Sequence, residues 1–224
     1  RPITQMATAA HHREVHAGRA LDRFVGLSDG VVAVAITLLA LPLLEIEAPP
    51  ADQSFLAMFE VNAVPIITFI VTFLLVAGLW RVHNRITNLM HGYDTGSFWI
   101  NTLWLAGIVV LPWASSLAGE RWQDGKWAGG PSALFYWLVI AFISAMATAM
   151  RFYVHSHRDL IETDSTETWD AQIALGARRR GVILSVGFAV IGVGWFWSIF
   201  LGIAIAVALF VVLICVRRST GVVE

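Results

Sequence analysis

Arg23, Ser28 and Asp29 stand close together in the chain, and the sequence then runs on to Leu44 almost without polarity, Thr37 being its one hydroxyl. Ionisable groups at the mouth of an apolar span are costly, so by default they mark a site for ions or for the groups that brace one. Helical geometry from Asp29 onward sets Val34, Thr37, Leu38 and Leu41 at i, i+3, i+4 and i+7, one stripe about 10 Å long. Two chemistries fit that stripe. It can pack against a neighbouring helix, or it can wall a pore, with branched apolar rings that close by dewetting and one hydroxyl ring that meets an ion. Arg23 and Asp29 lie on different sides of such a helix. Each therefore needs a partner from another span, another subunit or water. Ser28 could cap a helix N-terminus, and Asp29 in a first turn would suit the helix dipole; Asp29 is either an organiser of structure or a direct ion contact.

The elements that position these residues are membrane helices. The chain has 224 residues, 57% hydrophobic and 14% charged, with a mean hydropathy of +0.69. A soluble domain carries roughly 25% charged residues, and several stretches here approach the roughly 20 apolar residues that cross a bilayer. Six spans are expected, over about 21–44, 62–80, 98–117, 132–153 and two within 181–216. Pro65 falls in the first turn of the second span, where a missing N–H does no harm. Pro112 predicts a kink near the far end of the third. The last apolar run is too long for one span; a turn at the Gly192, Gly194, Trp195, Trp197, Ser198 cluster divides it, one long tilted helix being the competing reading. Residues 1–20 and 219–224 read as tails around one membrane domain, 21–218.

The loops alternate in charge. The first, EIEAPPADQSF with Glu60, has no Lys or Arg; the next carries Arg81 and Arg85. The third is mixed (Glu120, Arg121, Asp124, Lys126). The fourth begins at Arg151 and ends in Arg178, Arg179 and Arg180, and the tail has Arg217 and Arg218. The positive-inside bias places both termini and the basic loops in the cytoplasm of a cell-membrane protein. No leader stands out, so the first span is expected to act as its own insertion signal. Trp80, Trp99, Trp113, Trp122, Trp127 and Trp137 fall near span ends, as an aromatic belt would.

Other chemistry finds little to work with. The formal net charge of −1 argues against a nucleic-acid partner, and Cys215 has no second cysteine to pair with. His12 and His16 are i, i+4 but have no carboxylate or cysteine framework for a metal, and His155 and His157 lie in a charged stretch. No hydrolase, protease or phosphate-loop motif appears, so no enzyme and no cofactor is expected. Asp29 is the one acid near a span core, which weakens a proton-coupled carrier.

Arg23, Leu27, Ser28, Asp29 and Gly30 fit an R-x-x-x-F-S-D-G pattern, with Leu27 where Phe is expected, and AVAITLLALPL continues it. This resembles the first helix of prokaryotic members of the transmembrane protein 175 potassium-channel family. The likeness extends more loosely to Trp80, His83 and Asn84 and to Asn101 with Leu111, Pro112 and Trp113. It implies an all-α homotetramer of six-span subunits, with the first helix of each lining a central pore for potassium and other monovalent cations, in a bilayer and without a TVGYG filter. It further implies a narrowest ring at Val34, then rings at Thr37 or Leu38 and at Leu41. Arg23, Leu27, Ser28, Asp29, Gly30, His83 and Asn84 would be the bracing network. Val34 is smaller than the residue usual at that ring, so a wider or leakier constriction is expected. A secondary transporter or proton-conducting carrier, and a non-conducting membrane scaffold, are the rival readings.

Overall fold

A computed structural model describes residues 14–50, 54–120, 130–161 and 175–219. The readings placed on His11, His12, Arg121, Trp122, Asp124, Lys126, Trp127 and the last five residues lie outside them. The helices are α1 (Arg19–Leu38), α2 (Leu41–Leu44), α3 (Phe55–Val61), α4 (Ala63–Thr87), α5 (Thr95–Glu120), α6 (Pro131–Ser156), α7 (Leu175–Trp197) and α8 (Ile199–Ser219). Five stretches are long and apolar enough to cross a membrane, the first joining α1 and α2 over Arg19–Leu44, and Ile199–Cys215 forms a shorter apolar helix. The chain is thus an all-α, multi-pass membrane protein.

Apolar composition makes these segments helical, because a backbone in hydrocarbon must satisfy its own hydrogen bonds. Their ends differ in part from expectation. The second span does not stop at Trp80; α4 runs two further turns to Thr87, so Arg81, His83, Asn84 and Arg85 are helical and not in a loop. Nothing at those positions breaks a helix. The first span does break: α1 ends at Leu38 and α2 starts at Leu41 with Pro42 in its first turn. Pro42 has no N–H for the Leu38 carbonyl and its ring crowds that carbonyl. Leu41 is therefore not on the same continuous helix as Val34. In α5 the helix passes through Pro112 and reaches Glu120.

The division of the last apolar run falls at Ser198, between α7 and α8. The two fold back antiparallel: Gly187 lies against Leu209, Gly194 against Gly202 and Ile205, and Gly202 against the Trp195 ring. Small residues let the two backbones approach, as they do between helices in membranes. On α7's other side a side chain at Gly192 would meet Trp137 Cβ at 2.8 Å, so this hairpin seats on α6. Helix α6 is the most enclosed of the spans. Trp137, expected at the interface, is instead core, stacked on Phe188 with centroids 6.1 Å apart.

The core has two parts. The larger contains Val32, Val76, Trp104, Ile108, Leu111, Ile140 and Ile143; a smaller cluster gathers Phe24, Ile86, Met90, Met150, Val154, Leu160 and Ile161 at the end where the basic residues lie. That end is tied by a two-residue antiparallel pairing of His16 with Tyr93 and Ala17 with Gly92. His16 is consequently in a strand, not on a helix face with His12, and among the described residues no group of His, Cys, Asp or Glu could hold a metal ion.

Candidate functional site

Helix α1 buries Phe24, Ser28, Val32 and Ala35, one face at helical spacing. The opposite face stays outside the chain's own core: Leu27 is 58% exposed, Val34 58%, Leu38 40% and Leu41 53%, with Arg23, Gly30 and Thr37 also exposed. A side chain added at Gly30 would touch nothing within 4 Å, so this face is open as well as apolar. The Thr37 hydroxyl donates to the Val34 carbonyl at 2.7 Å. Its proton is committed to the helix, and its oxygen keeps lone pairs on the exposed side.

What holds α1 at this rotation is a chain of buried polar groups from three helices. Ser28 sits in mid-helix, nine residues past the start of α1 at Arg19, so it is not an N-cap, and Asp29 is not in a first turn. The Ser28 hydroxyl donates to the Phe24 carbonyl (3.0 Å) and accepts from Asn101 Nδ2 (2.9 Å). Asn101 Oδ1 lies 2.7 Å from His83 Nε2. With the Asn101 amide donating to Ser28, its oxygen faces His83, which fixes the His83 proton on Nε2. All three residues are buried, Ser28 to 1%, Asn101 to 2% and His83 to 3% exposure. The His83 ring stacks on Trp104, centroids 4.0 Å apart and planes 16° from parallel.

A second tie runs alongside. The Trp80 indole N–H donates to Asp29 Oδ1 at 2.9 Å, linking α4 to α1 one residue beyond Ser28. Trp80, placed by its position in an interfacial belt, is thus also the partner that Asp29 requires. Of the residues singled out in the sequence, the fold brings Ser28 and His83 into one chain and Asp29 beside it. Arg23, Leu27 and Gly30 lie on the outward face, and Asn84 gives no side-chain hydrogen bond among the described residues. Asn101 is the joint of the whole chain. Its signal was available: an asparagine within an apolar span must find partners.

Toward the other end, Thr72 of α4 meets Ser115 of α5 (3.3 Å) and Tyr136 of α6 (2.9 Å) in a buried hydroxyl cluster. Ser115 also lines a cavity of about 560 Å³ bounded by Leu38, Leu41, Glu45, Asn62 and Phe69, directly beside the outward face of α1.

Comparison with known proteins follows the same residues. The family model "Endosomal/lysosomal potassium channel TMEM175" matches residues 23–112. A potassium channel of Streptomyces collinus is 25% identical over 75% of this chain and 81% of its own length. The mouse endosomal/lysosomal proton channel TMEM175 is 26% identical over 49% of this chain, which spans only 22% of that protein. Among solved structures, a lysosomal potassium-selective channel TMEM175 homolog from Chamaesiphon minutus superposes with a TM-score of 0.66 at 21% identity, covering 92% of this chain and all of the other.

Proposed function

We propose that this chain, a potassium-channel protein of the TMEM175 family by its residues 23–112, builds its ion path from the outward face of α1 in a homotetramer. The observation that carries the reading is the exposure of Val34, Thr37, Leu38 and Leu41, an apolar stripe with one hydroxyl that the chain's own core leaves uncovered. Around a fourfold axis these residues become rings. Val34 forms the constriction, Thr37 or Leu38 the ring above it, and Leu41 a further apolar ring after the break at Pro42.

Selectivity then follows from dehydration. An apolar ring offers no ligands to replace an ion's water, so an ion passes partly stripped or not at all. Potassium holds its water less tightly than sodium and meets the lower barrier. The lone pairs of Thr37 return part of the ligation just beyond Val34. Without carbonyl cages, discrimination is weak to moderate. The Ser28–Asn101–His83 chain and the Trp80–Asp29 tie act at a distance by fixing which face of α1 meets the axis. Both termini and the basic end face the cytoplasm of a cell-membrane protein, as the charge bias requires.

The test is a reversal potential in planar bilayers with purified protein, potassium on one side and sodium on the other. A potential displaced toward that of potassium supports the proposal; a reversal at zero discards the selectivity. Because the mouse relative is named a proton channel, a second arm applies a pH gradient under symmetrical potassium. No current from a protein of verified stoichiometry would leave a transporter or a scaffold as the better account.

A further inference from the structure

The basic end of the bundle carries an arginine cluster that the pore reading does not use. Arg85 of α4, Arg151 of α6 and Arg180 of α7 come from helices that are far apart in sequence and adjacent in space. Helices α4 and α6 run parallel, with Thr72 level with Tyr136 in one half and Ile86 in the same packed cluster as Met150 in the other. Arg85 and Arg151 are the sequence neighbours of that last pair. Helix α7 returns antiparallel to α6, its Ser185 hydroxyl 3.1 Å from that of Ser144. One turn nearer the basic end, a side chain at Gly181 would meet Thr148 Oγ1 at 2.8 Å. Arg180 therefore lies beside the turn that carries Arg151, and the charges of Arg85 and Arg180 both reach the half-buried Arg151 guanidinium. Asp94, the buried carboxylate at this end, takes the Ser97 amide and the Tyr153 hydroxyl.

All three arginines stand at the ends of membrane spans, the depth at which lipid phosphates lie. Three guanidinium groups converging there make a concentrated positive site with forked donors, the geometry that suits phosphate. Basic pockets between transmembrane helices hold anionic headgroups in this way. We propose that Arg85, Arg151 and Arg180 together seat the phosphate headgroup of an anionic phospholipid from the leaflet that meets the basic end of the bundle. The assignment is independent of the route that ions take through the protein.

The test is native mass spectrometry of the detergent-purified protein titrated with phosphatidylglycerol or phosphatidylcholine, compared with an R85Q/R180Q double variant. Arg85 is exposed and Arg180 half-buried, so the fold has little to lose. Each arginine near a charged membrane surface contributes about fivefold, so the double variant should lose about thirtyfold of the preference for phosphatidylglycerol. An R85K/R180K variant should keep part of it, and R81Q, one turn away on the exposed side of α4, should keep nearly all. Equal retention of the two lipids by the parent protein overturns the proposal, as does an unchanged preference in R85Q/R180Q. Neutralisation of the cluster by the chain's own acidic stretch, Glu162 to Asp170, would give the first of those results. Inorganic phosphate competing as well as the lipid would also overturn it, since the site would then take the free ion.

Discussion

Replacing Asn101 with alanine should cost the protein more than any other single polar substitution, because Asn101 is the only bridge between Ser28 and His83 among the described residues. Two hydrogen bonds go, each worth about 0.5–1.5 kcal/mol net, and the membrane setting favours the lower part of that range, with measured averages near 0.6. The larger loss is the His83 Nε2–H, left 3% exposed with no acceptor, at about 1–3 kcal/mol. The expected total for N101A is about 2–4 kcal/mol. S28A strands the Asn101 amide, while the Phe24 carbonyl keeps its helical bond, so it should cost about 1–2 kcal/mol. Reversible unfolding in mixed detergent, by titrating sodium dodecyl sulfate and following tryptophan fluorescence, gives both numbers and that of the double variant. With the Asn101 bond to Ser28 counted once, the double variant should fall short of the summed singles by about 0.5–1 kcal/mol. Strict additivity would refute the reasoning, since the two side chains would then be acting independently of the contact between them.

V34A should raise both conductance and sodium permeability by widening the constriction; unchanged bilayer currents would remove Val34 from that role. T37A should bring the reversal potential closer to zero, because it takes away the one oxygen on the stripe, and an unshifted potential would show that the hydroxyl serves only the Val34 carbonyl. W80F should leave stability within about 1 kcal/mol, since the indole's partner is exposed to competing water, yet change channel activity by freeing α1 at Asp29; identical currents would count against that tie. G107V should destabilise by about 1–3 kcal/mol through overpacking, because even a Cβ there would sit 2.6 Å from Ile143 Cγ1; thermal unfolding in detergent reads it directly.

Much of the architecture was legible because a bilayer simplifies the problem. Twenty apolar residues have one way to satisfy their backbone, so span number and the turn at Ser198 followed from composition and a glycine–tryptophan cluster. What the pattern concealed were helix ends. Nothing after Trp80 stops α4, and polarity there marks the end of the hydrocarbon rather than the end of the helix. The break before Leu41 was legible in Pro42, but an unbroken apolar pattern conceals it. The stripe of Val34, Thr37, Leu38 and Leu41 was readable from spacing, since a period of 3.6 fixes which residues share a face. Which face is outward was not, because that depends on partners such as Asn101 and Trp80 on other helices. Ser28 shows the limit most clearly. Its type and place fitted a helix cap, and only the ten helical residues ahead of it, Gly18 at their start, show that it bonds backward to Phe24 and sideways to α5.

The break between α1 and α2 has an electrostatic consequence. A helix that ends at Leu38 presents the negative pole of its aligned peptide dipoles at that point, and Pro42 leaves the Leu38 carbonyl without the amide that a continuous helix would supply. The last turn carries no basic residue to offset this, and Glu45 follows on the same wall of the adjoining cavity. An approaching cation therefore meets a favourable potential made by backbone geometry before it reaches any side chain that could bind it. In a pore with apolar walls, a proline that ends a helix early can do the work of a charged ring and leave no ion trapped there.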